Sequence, residues 1–465
     1  MRILLLFCVS IVSSLAAFGQ DVTGQWAGAL EVQGARLRLI INVKRTSEGF
    51  SATLDSPDQG AKGILLTSTQ FSGDTLKFAL LSARIEYEGK LENETIKGTF
   101  KQNGQALPLT FLHGSPDKLN PLRPQEPQKP YPYNSEDVTF KNDVQGITLA
   151  GTLTTPKGSG SFPAVVLISG SGPQNRDEEL LGHKPFLVLA DFLTKSGIAV
   201  LRYDDRGTGL SKGNFGKANS LDFATDVEAA ITYLKSRPEI NKDKIGLIGH
   251  SEGGLIAPIV ATRSKDISFV IMLAGPGLPG DSILLLQQQL IGKASGIPDS
   301  SLQQMIEMNR GAFAIVRRSK NDDQLKAQLT SYIKSSMETV GRQILPEGMT
   351  EDEYIALQVM QLNSPWMKFF LQYDPAAALT KIKCPVLALN GEKDLQVPPK
   401  ENILAIKNAV RKAGNSSVTT KIYPSLNHLF QECTTGAPDE YSKIEQTMSP
   451  MVLNDMLNWI KTRTK

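Results

Sequence analysis

From about residue 137 onward the chain alternates short β-branched apolar runs with amphipathic stretches long enough to be helices. The runs are FPAVVLISG, IAVLRYD, KIGLIGH, FVIMLAG, CPVLALNG and VTTKIYP, with KPFLVLADFLTKSG and LDFATDVEAAITYLKSR among the segments between them. Strands that are apolar on both faces suit only a sheet covered on both sides. Strand–helix–strand repetition makes such strands parallel. Residues 137–155 read as an antiparallel hairpin that leads into this sheet.

The alternation stops between about 276 and 380, where SILLLQQQLIGKASG, SLQQMIEMNRGAFAIVRR and DDQLKAQLTSYIKSSMETVGRQI carry a helical pattern. An insertion of that length is too long for a loop. It is expected to form a helical cap over the active site.

Upstream, residues 21–114 hold short alternating runs broken by Gly, Asn and Asp, such as ARLRLIINV, RIEYEGKL and TIKGTF. This pattern predicts a small antiparallel β domain, a barrel or a sandwich. Trp26 is expected to plug its core. Six prolines between 116 and 132 forbid a helix or central strand there, so residues 115–135 are expected to be an extended linker. The remainder, which carries the parallel sheet and its insertion, then spans 136–465.

Residues 1–20 read as an export signal: Arg2, an apolar run from Ile3 to Ala17, and small residues at Ala16, Ala17 and Gly19. The run is short for a bilayer span, and no later stretch is long and apolar enough for one. The mature protein is therefore expected to be periplasmic or secreted, without a stable membrane span. A net charge of +3 without a basic block gives no reason to expect a nucleic-acid partner. Only Cys384 and Cys433 follow the signal, which rules out a disulfide scaffold. Nothing in the sequence specifies an oligomeric state.

Gly249-His250-Ser251-Glu252-Gly253 fits the pattern G-x-S-x-G between the strand-like KIGLIGH and the helix-like EGGLIAPIVATR. A serine on so sharp a strand-to-helix turn presents its hydroxyl above the sheet, and the flanking glycines avoid clashes within the bend. A serine hydroxyl needs a base. Of His113, His183, His250 and His428, only His428, in SLNHLF, follows the last strand in the order serine, acid, histidine. His250 is expected to point away from the site. The acid belongs after CPVLALNG, where Asp394 is the first candidate and Glu392, on the same turn, the second. The amides of Ser171, in the loop SGSGP, and of Glu252 are the expected oxyanion donors, because Pro173 has none to give. In the DRGTG segment, Arg206 is expected to brace loops. Trp366, Phe369 and Phe370, in SPWMKFFL, are candidates for the substrate pocket or for cap packing.

ISGSGPQNRD, YDDRGTG, GHSEGG, NGEKDLQVP and SLNHLF together resemble the α/β-hydrolase superfamily, and more narrowly the EstD-type bacterial carboxylesterases. The resemblance spans roughly residues 162–429. It implies an α/β-hydrolase sheet, Ser251 as nucleophile, Asp394 as acid, His428 as base, and no metal or organic cofactor. It also implies hydrolysis of small-molecule carboxylic esters, typically with short acyl chains. The same branch resembles serine aminopeptidases and prolyl-oligopeptidase-like enzymes; for an aminopeptidase, Asp177, Glu178 and Glu179 would be the candidate amine-binding carboxylates. A hydrolase fold serving only as a binding module is a third reading.

Overall fold

The computed structural model describes residues 21–32, 35–57, 61–102, 105–114, 123–340, 345, 349–412 and 414–465. The expected export signal at 1–20 lies outside them, as do residues 115–122 of the expected linker. The chain divides into two compact units, residues 1–120 and 121–465.

The first unit is one antiparallel sheet of nine strands: β1 (Gly24–Val32), β2 (Ala35–Thr46), β3 (Gly49–Ser56), β4 (Ala61–Leu65), β5 (Ser68–Ser72), β6 (Thr75–Leu80), β7 (Ile85–Glu92), β8 (Thr95–Gln102) and β9 (Gln105–His113). Their order is β4-β3-β2-β1-β9-β8-β7-β6-β5. Between β4 and β5 the chain passes from one edge to the other: Leu66 N donates to Ala52 O (3.0 Å) and Thr67 N to Ala79 O (2.8 Å). The sheet is therefore curled on itself, a barrel-like solution rather than two packed sheets. Alternate residues of β7 are buried, as the period of two requires. Trp26, Ile41, Leu76, Ile96, Leu109 and Phe111 fill the interior. Trp26 is the core plug expected of it, with its indole N–H satisfied by Val22 O at 2.8 Å.

The second unit is an eight-stranded sheet in the order β10-β11-β13-β12-β14-β15-β16-β17. The hairpin β10 (Asn134–Asn142) and β11 (Ile147–Thr155) is antiparallel, as expected. From β13 (Ala199–Tyr203) through β12 (Phe162–Ile168), β14 (Ile240–His250), β15 (Ile267–Leu273) and β16 (Val386–Gly391) to β17 (Val418–Tyr423), all neighbours are parallel. Helices α2 (Ser220–Ser236), α3 (Glu252–Arg263) and α10 (Pro399–Lys412) cover one face. There Val227, Leu255 and Ile406 share one apolar core with Ala164, Val166 and Ile168 of β12. Helices α1 (Pro185–Lys195) and α11 (Pro450–Arg463) cover the other, where Leu189, Leu193 and Met456 share a second apolar core with Val165 and Leu167. Neighbouring residues of one strand thus enter opposite cores, which is why the strands read as unbroken apolar runs. This is the α/β-hydrolase fold.

The insertion after β15 holds α4 (Gly280–Ala294), α5 (Asp299–Arg318), α6 (Asp322–Val340), α7 (Glu351–Leu362) and α8 (Pro365–Gln372), followed by the short α9 (Ala376–Leu379). It has an apolar core of its own, including Phe313, Val316, Leu325, Leu329 and Ile333. Among the described residues no helix is long and apolar enough to cross a membrane. Cys384 and Cys433 are free thiols.

Residues 123–133 are not a free spacer. Arg123 donates from Nε to Gly182 O (3.2 Å), from Nη2 to Ser442 O (3.0 Å), and from Nη1 to Ile444 O. The Gln125 side chain bonds Met448 O (2.6 Å) and the Thr447 amide (2.6 Å). Proline content predicted an extended chain. What it could not convey is that an extended chain still offers side chains to bare main-chain carbonyls.

Candidate active site

Ser251 stands at the junction of β14 and α3 with φ 50° and ψ −118°, a conformation costly for a non-glycine residue. Its N–H donates to Leu273 O (2.8 Å), which ties the elbow to the neighbouring strand. The glycines on either side are sterically required. A Cβ on Gly249 would lie 2.0 Å from Gly253 O, and one on Gly253 would lie 2.1 Å from Ile168 O.

His428 is buried and follows β17. Its Nδ1 lies 2.8 Å from Asp394 Oδ2. The other carboxylate oxygen, Oδ1, accepts the amides of Gln396 (2.8 Å) and Val397 (2.9 Å), which fix its orientation. Glu392, the second candidate, turns instead to the Ser425 amide at 3.2 Å. His183 is locked elsewhere, with Nδ1 3.1 Å from Thr447 Oγ1 and Nε2 2.8 Å from Tyr441 O. Burial, with Arg123 nearby, pushes its pKa down to about 4.

Ser251 and His428 line one cavity of about 240 Å³, together with Ser171, Glu252 and Gln396. Cap helices supply much of the rest: Ile283, Leu284 and Gln287 from α4, and Trp366 and Phe370 from α8. Trp366 and Phe370, four apart, share a helix face and stack at 5.1 Å. Phe369 is not among the lining residues. It faces another way, stacks on Tyr373 (4.9 Å) and packs against the sheet-domain core. Of the three pocket candidates, Phe369 is therefore corrected to a packing residue.

His250 is a second correction. It does not point away but lines the cavity, its ring 4.9 Å from that of His428. Its Nε2 lies 3.1 Å from His428 O and its Nδ1 3.0 Å from Glu178 Oε1. Burial opposes a charge on His250, but the Glu178 carboxylate and the His428 carbonyl outweigh it and raise its pKa. Glu178 Oε1 also accepts the Gly170 amide (2.6 Å), so one carboxylate links the Ser169–Pro173 loop to His250, and the His250 ring reaches the base-bearing loop. Sequence reasoning missed this pair. The only available signal was a histidine beside the serine and a carboxylate after the glycine turn.

The remaining carboxylates of that turn are engaged otherwise, Asp177 with Arg202 and Glu179 with Asn175. Of the three carboxylates considered for an aminopeptidase, Glu178 lines the cavity, and Asp177 and Glu179 are not among its lining residues. Arg206 braces as expected, its Nε 2.7 Å from Asp226 Oδ2 and its Nη2 2.9 Å from Oδ1. Asp205, its neighbour, accepts Ser169 Oγ (2.7 Å) and the Gln174 amide (2.9 Å), and burial pushes its pKa up to about 8.

Glu252 is almost wholly buried. Its Oε1 accepts Ser220 Oγ (2.6 Å) and the Trp366 indole N–H (2.8 Å), so the residue after the serine is wired to the cap. Burial raises its pKa, against the bonds from Ser220, Trp366 and Ser171.

The chain is similar to several known proteins. Esterase EstD of Thermotoga maritima is 27% identical over 89% of this chain and 92% of its own length. An uncharacterised 31.7 kDa protein of Escherichia coli is 25% identical over 64% of this chain and 93% of its own. The crystal structure of PA2218 from Pseudomonas aeruginosa, 17% identical, aligns with 73% of this chain and 96% of its own at a TM-score of 0.45. A family model described as serine aminopeptidase, S33, matches residues 184–432 of the 465. By that match over more than half its length, the chain is a hydrolase belonging to the serine aminopeptidase S33 (Hydrolase_4) family.

Proposed function

We propose that this protein is a carboxylesterase working through an acyl-enzyme on Ser251. One observation carries the reading: a strained serine elbow opens into the same cavity as a buried histidine whose Nδ1 lies 2.8 Å from a buried aspartate. His428 Nε2 takes the proton of Ser251 Oγ as that oxygen attacks the ester carbonyl. Asp394 holds the tautomer and stabilises the imidazolium. The amides of Ser171 and Glu252 receive the oxyanion. The imidazolium then protonates the departing alcohol, and water releases the acid by the same steps in reverse.

The likeness to an esterase along nearly the whole chain supports esters as substrates. A cavity of about 240 Å³ suits a short acyl group. The signal-like residues 1–20 support action outside the cytoplasm. The test pairs two measurements on the purified protein, covalent labelling of Ser251 by a fluorophosphonate and turnover of nitrophenyl acetate and butanoate. Absence of both would overturn the reading. The family description favours a second reading, a serine peptidase. Faster cleavage of amino-acid anilides than of esters would establish it.

A further inference from the structure

The cavity above Ser251 has an apolar side, made by Leu180, Ile283, Leu284, Val397 and Phe370, and a polar side that includes Glu252 and Gln287. Among the described residues no lysine or arginine lines it. The donors that reach the Glu252 carboxyl are the hydroxyls of Ser220 and Ser171 and the Trp366 indole, none of them cationic. A carboxylate offers about four acceptor positions, and these partners take three. A buried carboxylate without a counter-charge costs free energy, which is relieved by protonation, by another donor or by a cation. It also sits on the residue whose amide is proposed to receive the oxyanion, where an uncompensated negative charge would oppose the transition state. Glu252 lines the cavity above Ser251, so a substrate bound there can bring a further donor to its carboxylate.

We propose that Glu252 is a specificity-determining residue and that the site takes short esters carrying a hydrogen-bond donor, a hydroxyl or a protonated amine, within a few bonds of the ester group. This rests on the serine-esterase reading above. The donor binds the Glu252 carboxyl while the hydrocarbon part lies against Ile283, Leu284 and Phe370. Trp366, bonded to the same carboxyl, then closes the cap side of the pocket.

The experiment measures kcat/KM for isosteric ester pairs, corrected for spontaneous hydrolysis. On the acyl side, nitrophenyl 3-aminopropanoate is set against butanoate, and 3-hydroxybutanoate against 3-methylbutanoate. On the alcohol side, 2-(dimethylamino)ethyl butanoate is set against 3-methylbutyl butanoate, and 2-hydroxyethyl butanoate against propyl butanoate. At least one donor-bearing ester should be preferred by about tenfold or more, the size of a hydrogen bond to a charged group. The amine and hydroxyl arms identify which donor is used. In E252Q the preference should fall to about threefold or less. Each ratio is taken within one variant, so a general loss of rate cancels, and E252M gives a second reading should E252Q fail to fold. Ratios near one in the native protein, or a preference unchanged in these variants, would overturn the inference. Fluorophosphonate labelling of Ser251 separates the two failures: labelling with flat ratios sinks this inference alone, whereas no labelling and no turnover sinks the esterase reading and this with it.

Discussion

His250, the residue just before the elbow serine, places its Nε2 3.1 Å from the main-chain oxygen of His428, so the base-bearing loop is held by the strand that carries the nucleophile. Glu178 completes the link from the other side of the His250 ring. The folded pKa of His250 is raised, chiefly because Glu178 and the His428 carbonyl overcome burial. Its stabilising contribution is therefore full below the ordinary value of about 6.5 and is lost as pH rises through the folded value. Glu178→Gln should lower the melting temperature most below about pH 6.5, with the gap to the native protein narrowing at higher pH. Melting curves from pH 5.5 to 9 check this, and a gap independent of pH would refute it.

Ser251→Ala and His428→Ala should each reduce ester turnover by about three orders of magnitude or more, and the double variant should be little worse, because the triad acts as a unit. Initial rates with circular dichroism as a folding control decide the matter. Near-normal turnover by either folded variant would reject the assignment.

Asp394→Asn should cost on the order of 10⁴ in kcat, since an amide in place of the carboxylate favours the wrong imidazole tautomer. Glu392→Gln should leave turnover within about threefold, because Glu392 meets only an exposed amide of Ser425. Reversed phenotypes would make Glu392 the acid.

Trp366→Ala removes a cavity wall and should shift the acyl-length optimum towards longer chains. Phe369→Ala removes packing between cap and sheet domain. It should cost about 2 kcal/mol or more, seen as a fall in melting temperature, with the chain-length profile unchanged. Rates across acetate to octanoate, measured beside melting curves, test both. The same change in profile for the two variants would show that they act through one packing defect.

A chain beginning at Pro121 should keep more stability than one beginning at Tyr133, because only the former retains Arg123 and Gln125. Arg123→Ala in the full chain should lower the melting temperature by several degrees, since it strands partly buried carbonyls and removes hydrogen bonds from a charged donor. Equal melting of the two truncated forms would show that the 123–133 segment contributes nothing.

The sequence alone was enough for the elements and their order. β-branched runs that are apolar on both faces occur where a sheet is covered twice, so the parallel sheet was legible. So was the serine elbow, because strand, turn and helix are covalent neighbours and the glycines at 249 and 253 answer a clash within the turn itself. The barrel-like curl of the first unit was legible only as strands, since a period of two does not say whether the edges meet.

Tertiary packing decided the partners. Asp394 and Glu392 are two residues apart on one turn, and only the path of the chain from β16 brings Asp394 to His428, 34 residues later. His250 was read as turned away because sequence gives its neighbour in the chain but not Glu178, 72 residues off. Trp366 and Phe370 line the cavity while Phe369 does not, because the docking angle of α8 selects which helix face looks inward. Glu252 is joined to Trp366 across 114 residues. Local pattern records what each segment must bury. Which distant side chains then meet is set when those buried faces are fitted together.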